Sequence, residues 1–137
     1  MNILAIAVFG AIGGLSRLVL ENVIQTSNGF PLSTLLINVS GSLALGFFLV
    51  MADKKELKEW LKLGIGVGFI GAFTTFSTFS MDIIQLFHTS LALTVIYIMA
   101  ATIPGGILCA FVGERLADWL FRAKAVSEVT ETREVYP

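Results

Sequence analysis

Four stretches of this chain are too long and too apolar to sit comfortably in water. They cover about residues 3–20, 32–51, 61–87 and 91–120. Each lies near or above the roughly 20 residues that an α-helix needs to cross the hydrocarbon core of a bilayer. Lipid offers no partners to a bare backbone, so such stretches must satisfy their own N–H and C=O groups as helices. The expected fold is therefore an all-α membrane protein with four transmembrane helices per subunit, the third of them broken near its middle. Composition agrees: 14% of residues are charged, against roughly 25% in a soluble domain, too few to cover a globule. The net charge of −1 comes without a basic patch that would track nucleic acid. A single cysteine, Cys109, leaves no internal disulfide and reads as a small packing residue. The start lacks a basic region and a small-residue cleavage site, so the mature protein is expected to begin at Met1. Residues 1–122 form the expected transmembrane domain. Residues 123–137 form a polar tail, expected to be disordered or frayed.

Lysine and arginine are unevenly placed. Lys54, Lys55, Lys58 and Lys62 lie at the link between spans two and three, and Arg115, Arg122, Lys124 and Arg133 lie at the end of span four and beyond. Only Arg17 opposes them. The positive-inside rule then puts both termini in the cytoplasm.

Small residues recur at helical spacing: Gly10 and Gly14 in span one, Gly64, Gly68 and Ala72 in span three, Thr102, Gly106 and Ala110 in span four. Such ridges let helices approach closely in lipid. They serve equally well to hold one bundle together or to join two.

Polar groups within spans are costly unless they find partners or line a wet path. Arg17 ends the glycine-rich segment 10–17 and reads either as a snorkelling cation or as a buried one. Asn38, Gly41 and Ser42 share one helix face, as an interhelical hydrogen-bonding site or as an amide offered to an anion. In span three, Thr74, Thr75, Ser77, Thr78 and Ser80 put five hydroxyls within seven positions, just after Gly68 and Gly71. Hydroxyls and glycine both weaken a helix, and non-helical backbone at this depth must be buried in protein or line a cavity. A break is the favoured reading. Phe76 and Phe79, three apart, are expected on one face. They suit ordinary packing, or they offer positive ring edges to a small anion.

At these residues the chain resembles the CrcB/Fluc family of fluoride channels. Three motifs carry the resemblance in order: the segment 10–17, Asn38-x-x-Gly41-Ser42, and Gly71-x-x-Thr74-Thr75-Phe76-Ser77-Thr78-Phe79. The likeness covers nearly all of residues 1–122. It implies an antiparallel, dual-topology dimer with two fluoride pathways in the inner (plasma) membrane of a prokaryote, conferring fluoride resistance. It implies that Phe76, Phe79 and Asn38 line the pores, with Thr75, Ser77 and Thr78 as polar groups beside them and Thr102 on a polar track of helix four, near Tyr97. Arg17, Gly41 and Ser42 take structural roles. Gly71 and Thr74 give backbone carbonyls to a structural sodium ion on the dimer axis.

The chemistry agrees with that implication. Fluoride accepts hydrogen bonds and donates none, so a selective path replaces its water with neutral donors weak enough to release it. No carboxylate lies between residues 64 and 81, so a cation held there is monovalent rather than divalent. No GxxxxGK phosphate loop exists, which leaves passive conduction as the natural mechanism. The lysine and arginine bias is unusual for a chain that inserts both ways. A homodimer is preferred, and pairing with an oppositely oriented paralogue is the alternative. A rival class is a proton-coupled fluoride antiporter or another small dual-topology secondary transporter, for which Asp82 and Glu114 are the candidate carboxylates in spans three and four. Small multidrug transporters need a glutamate inside span one, and none precedes Glu21. No nucleophile has an adjacent base and His88 sits at a turn, so an enzyme is not expected.

Overall fold

The computed structural model describes residues 1–24, 30–101 and 103–135, with side chains described for 1–24, 30–98 and 104–123. Helix α1 (Asn2–Val23) and helix α2 (Leu32–Lys54) match the first two expected spans. The third stretch is segmented. Helix α3 (Glu59–Leu63) runs into a π-helical segment (Gly64–Ile70) and one turn, α4 (Gly71–Phe73), and helix α5 (Ser77–Thr89) resumes after a break. Helix α6 (Leu91–Ala101) and helix α7 (Ile103–Val135) follow. Asn2–Val23, Leu32–Lys54 and the composite Glu59–Thr89 are long and apolar enough to cross a membrane. The chain is an all-α, multi-pass membrane protein. The expected fourth span falls on α6 and α7, either side of Thr102, which lies outside the described residues.

Local chemistry explains most of these boundaries. Gly64, Gly66 and Gly68 alternate through the π-helical segment, where the α-helical register is already weak. Helix α2 ends in a six-to-one bond from Leu57 N–H to Ala52 O, with Glu56 at φ 48° in the left-handed position that glycine normally fills. Between α5 and α6 only Ser90 intervenes, in extended backbone, and its hydroxyl takes the Leu93 N–H at the start of α6. The backbone stays helical to Val135, where a disordered or frayed tail was expected. Two alanines and three glutamates, with Lys124 and Arg133, favour helix there.

The helices meet through glycine. A Cβ on Gly46 of α2 would come within 1.9 Å of Ala110 O, and one on Gly113 of α7 within 2.1 Å of Leu43 O. On the other side of the bundle, a Cβ on Gly13 of α1 would meet Phe69 O at 2.2 Å, and one on Gly68 would meet Ile6 O at 2.8 Å. Two side-chain clusters fill what remains. Phe48, Ala52 and Ile70 form one. Phe79, Leu86 and Tyr97 form the other. The outer faces carry Ile3, Leu4, Leu15 and Val19 of α1, all exposed in the single chain. Such a surface belongs against lipid or another helix.

Candidate functional site

The break is made by two hydrogen-bond choices. The helical ladder persists as far as Thr74 N–H, which donates to Ile70 O at 3.0 Å. At Thr74 the backbone turns extended (φ −72°, ψ 154°). Thr75 N–H then donates to Asn38 Oδ1 at 2.8 Å, and Asn38 Nδ2 donates back to Thr75 O at 2.9 Å. One side-chain amide on α2 thus satisfies both backbone groups of Thr75, as a neighbouring strand would. The Thr75 hydroxyl restarts the helix. It accepts Thr78 N–H at 3.2 Å, donates to Thr78 Oγ1 at 3.1 Å, and lies 3.2 Å from Ser77 Oγ. This serves as a cap for the first turn of α5. Thr75 is buried, so its hydroxyl has no water to fall back on. Thr75→Val, which keeps the shape and deletes the hydroxyl, is expected to cost about 1–3 kcal/mol. A lowered melting temperature in detergent checks this.

Beside the break lies an open cleft of about 620 Å³. Asn38, Gly41, Ser42, Gly71, Thr74, Thr75, Phe76 and Phe79 all line it, and Gly106 and Ile107 of α7 close its far side. Eight of the twelve residues singled out in the sequence therefore meet in one place. Ser77 and Thr78 stand behind Thr75 rather than on the lining. Arg17 is elsewhere, on α1, with its Nε 3.9 Å from Glu21 Oε1. Thr102 lies outside the described residues. Gly41 has a packing reason: a Cβ there would sit 2.3 Å from the Thr74 methyl.

The two phenylalanines line the same cleft, but at different depths. Phe76 is the N-cap of α5, in helical backbone (φ −96°, ψ −29°), and its carbonyl accepts the Ser80 N–H at 2.9 Å. Its ring is 76% exposed, while Phe79 is 4% exposed. The rings still meet, centroids 5.9 Å apart at 45°. Phe79 continues the contact inward to Tyr97, 5.2 Å away. Tyr97 is fully buried and donates to Asp82 Oδ2 at 2.9 Å. That pair joins α5 to α6, and its signal was present in the sequence. A tyrosine inside a span needs a partner for its hydroxyl, and Asp82 is the carboxylate that a tight α5–α6 hairpin brings opposite it. Gly46 and Gly113 were also missed, although Ser42 lies four positions before Gly46 and Ala110 three before Gly113.

The cleft lining carries no formal charge. No group of three or more His, Cys, Asp or Glu converges among the described residues.

A family profile described as "CrcB-like protein, Camphor Resistance (CrcB)" matches residues 4–114. The chain belongs to the CrcB-like family. Relatives within reach of this CrcB-like chain align along nearly their whole length. One from Listeria innocua, named "Fluoride-specific ion channel FluC 2", is 39% identical over 127 residues, covering 91% of this chain and 97% of its own. One from Moorella thermoacetica, named "Fluoride-specific ion channel FluC 1", is 37% identical over 138 residues, covering 98% and 97%. One from Halalkalibacterium halodurans, named "Fluoride-specific ion channel FluC 2", is 43% identical over 121 residues, covering 85% and 86%. The CrcB-like family is one of ion channels, and this member is not an enzyme.

Proposed function

We propose that this chain is the subunit of a passive, selective fluoride channel that releases cytoplasmic fluoride down its electrochemical gradient. The observation that carries the reading is the neutral cleft in which Asn38, the broken backbone and the two phenylalanines converge, in a chain whose relatives are named fluoride-specific ion channels. Asn38 has two amide hydrogens, and one is held by Thr75 O. The other is fixed in direction and available to an anion. The edge of Phe76 supplies a further positive end on the lining, and the Ser77 and Thr78 hydroxyls stand behind Thr75. All are neutral, so they can replace hydration without trapping the ion.

The same reading takes the chain as a four-span subunit that pairs with an oppositely oriented copy of itself, or with a paralogue, giving two pores. It places the assembly in the inner membrane of a prokaryote. A structural sodium on the dimer axis suits the donor set. Gly71 has lost its helical donor, because the Thr75 N–H is taken by Asn38, and Thr74 is extended. Two such carbonyls from each subunit give four neutral oxygens, fit for a monovalent hard cation, and no carboxylate lines the cleft. Bound there, sodium would add positive potential beside both pores.

Asp82 gives the rival some footing. It lies one aromatic contact behind the cleft, through Tyr97 and Phe79, where a proton-coupled antiporter would want a carboxylate. Liposomes containing only this chain separate the readings. Loaded with fluoride and opened to an outward gradient, they are expected to lose fluoride rapidly and chloride far more slowly, as a fluoride electrode and a chloride electrode will register. A pH gradient with equal fluoride on both sides should move no fluoride. Comparable chloride efflux would defeat the selective-channel reading, and proton-driven uptake would favour the antiporter.

A further inference from the structure

In an unbroken helix Thr75 N–H would donate to Gly71 O, four residues back. The bonding pattern locates the departure at one residue: Thr74 N–H still keeps its helical partner, Ile70 O, and Thr75 N–H does not. What diverts it is Asn38 Oδ1, at 2.8 Å. Gly71 O is left with the Thr74 hydroxyl at 3.4 Å, a hydroxyl that donates at the shorter distance of 3.1 Å to Ile70 O. A single hydroxyl proton cannot serve both well, so Gly71 O is an under-satisfied acceptor on the cleft wall. Gly71 is exposed, and a Cβ built there meets only Gly66 O, at 3.8 Å.

We infer that Asn38 is a positioning residue for the cation site: by accepting the Thr75 N–H it keeps the helix from closing over Gly71 and leaves that carbonyl free for a monovalent cation. This rests on the sodium reading given above. It joins two features that are separate in space, since the side chain that presents a donor to the anion also opens the cation site. Without an acceptor at position 38, Thr75 N–H returns to Gly71 O and the helix closes.

Purified full-length chain in detergent tests this by the sodium dependence of its melting temperature, titrated against N-methylglucamine. The wild-type chain is expected to melt higher in sodium. Asn38→Ala should weaken the sodium midpoint at least tenfold. Asn38→Asp keeps an oxygen where Thr75 N–H needs it, so it should retain the sodium response even where fluoride efflux is lost. A merely structural role would damage both variants alike. Should Asn38→Ala fail to fold, Asn38→Ser takes its place, since its hydroxyl falls short of Thr75. A wild-type midpoint in Asn38→Ala or Asn38→Ser overturns the inference, and so does loss of the response in Asn38→Asp. Absence of any sodium response in the wild type overturns it too. Fluoride efflux from wild-type liposomes alongside any of these results would leave the channel reading standing.

Discussion

Phe76→Ile should reduce fluoride efflux at least about tenfold, equivalent to only ~1.4 kcal/mol at the barrier, while leaving the melting temperature unchanged. Both halves follow from position. Phe76 lies at the mouth of the break with its ring 76% exposed, so the fold of the subunit does not lean on it. Isoleucine matches it in apolar character and lacks the positive ring edge. Phe79 cannot give so clean an answer. It is packed with Leu86 and Tyr97 in the core, and Phe79→Ile is expected to lower stability by about 1 kcal/mol through a change of shape. A loss of flux there would mix two causes. Electrode traces and melting curves from the same Phe76→Ile preparation decide the matter. Full flux would remove the phenylalanine edge from the mechanism.

Gly46→Val should prevent stable folding altogether. Even an alanine Cβ would lie 1.9 Å from Ala110 O, and the obstacle is backbone rather than a movable side chain. The obstacle is met again on the same interface, where a Cβ on Gly113 would lie 2.1 Å from Leu43 O. To admit a side chain, α2 and α7 would have to separate along their contact, at a cost of about 3 kcal/mol or more. They would also pull apart the ion pair between Lys54 and Asp118 near its end. Aggregation or a shifted elution volume on size exclusion in detergent is the expected result. A monodisperse Gly46→Val protein that melts like the wild type would show that this contact is looser than described. Gly14, by contrast, has nothing within 4 Å of a built Cβ, and Gly14→Ala should fold as the wild type does unless a second copy covers that face.

Apolar run length and hydroxyl density made much of this architecture legible in advance. The ends of α1 and α2 follow from where lipid-compatible residues stop, and the break at Thr74 to Phe76 falls inside the hydroxyl run that marked it. Asn38 was recognised as polar and out of place, but its two bonds to Thr75 span 37 residues, and no local pattern encodes a partner that distant. The spacing of Phe76 and Phe79 brings both rings to one cleft, but spacing does not tell that one is 76% exposed while the other is buried in the core. The contacts at Gly46 and Gly113 were hidden because a small-residue ridge shows where helices can approach, while the glycine that takes the closest approach depends on the crossing geometry. The segment 123–135 was judged by its polarity, which says whether a stretch is buried and not whether it is helical.

The bond between Asn38 and Thr75 also bears on how the chain reaches the bilayer. Synthesis delivers α2 well before Thr75 emerges. Among the described residues three helical stretches are long and apolar enough to span, and Glu59–Thr89 is the least apolar of them, weakened by the hydroxyls and glycines that shape the break. Its partition from the translocon into lipid is thus a marginal step of biogenesis. An α2 already settled in the membrane holds out an amide that accepts the exposed N–H and donates to the exposed C=O at the weakest point of the incoming segment. The order of the spans along the gene therefore matters: the element that tolerates the defect is laid down before the element that contains it.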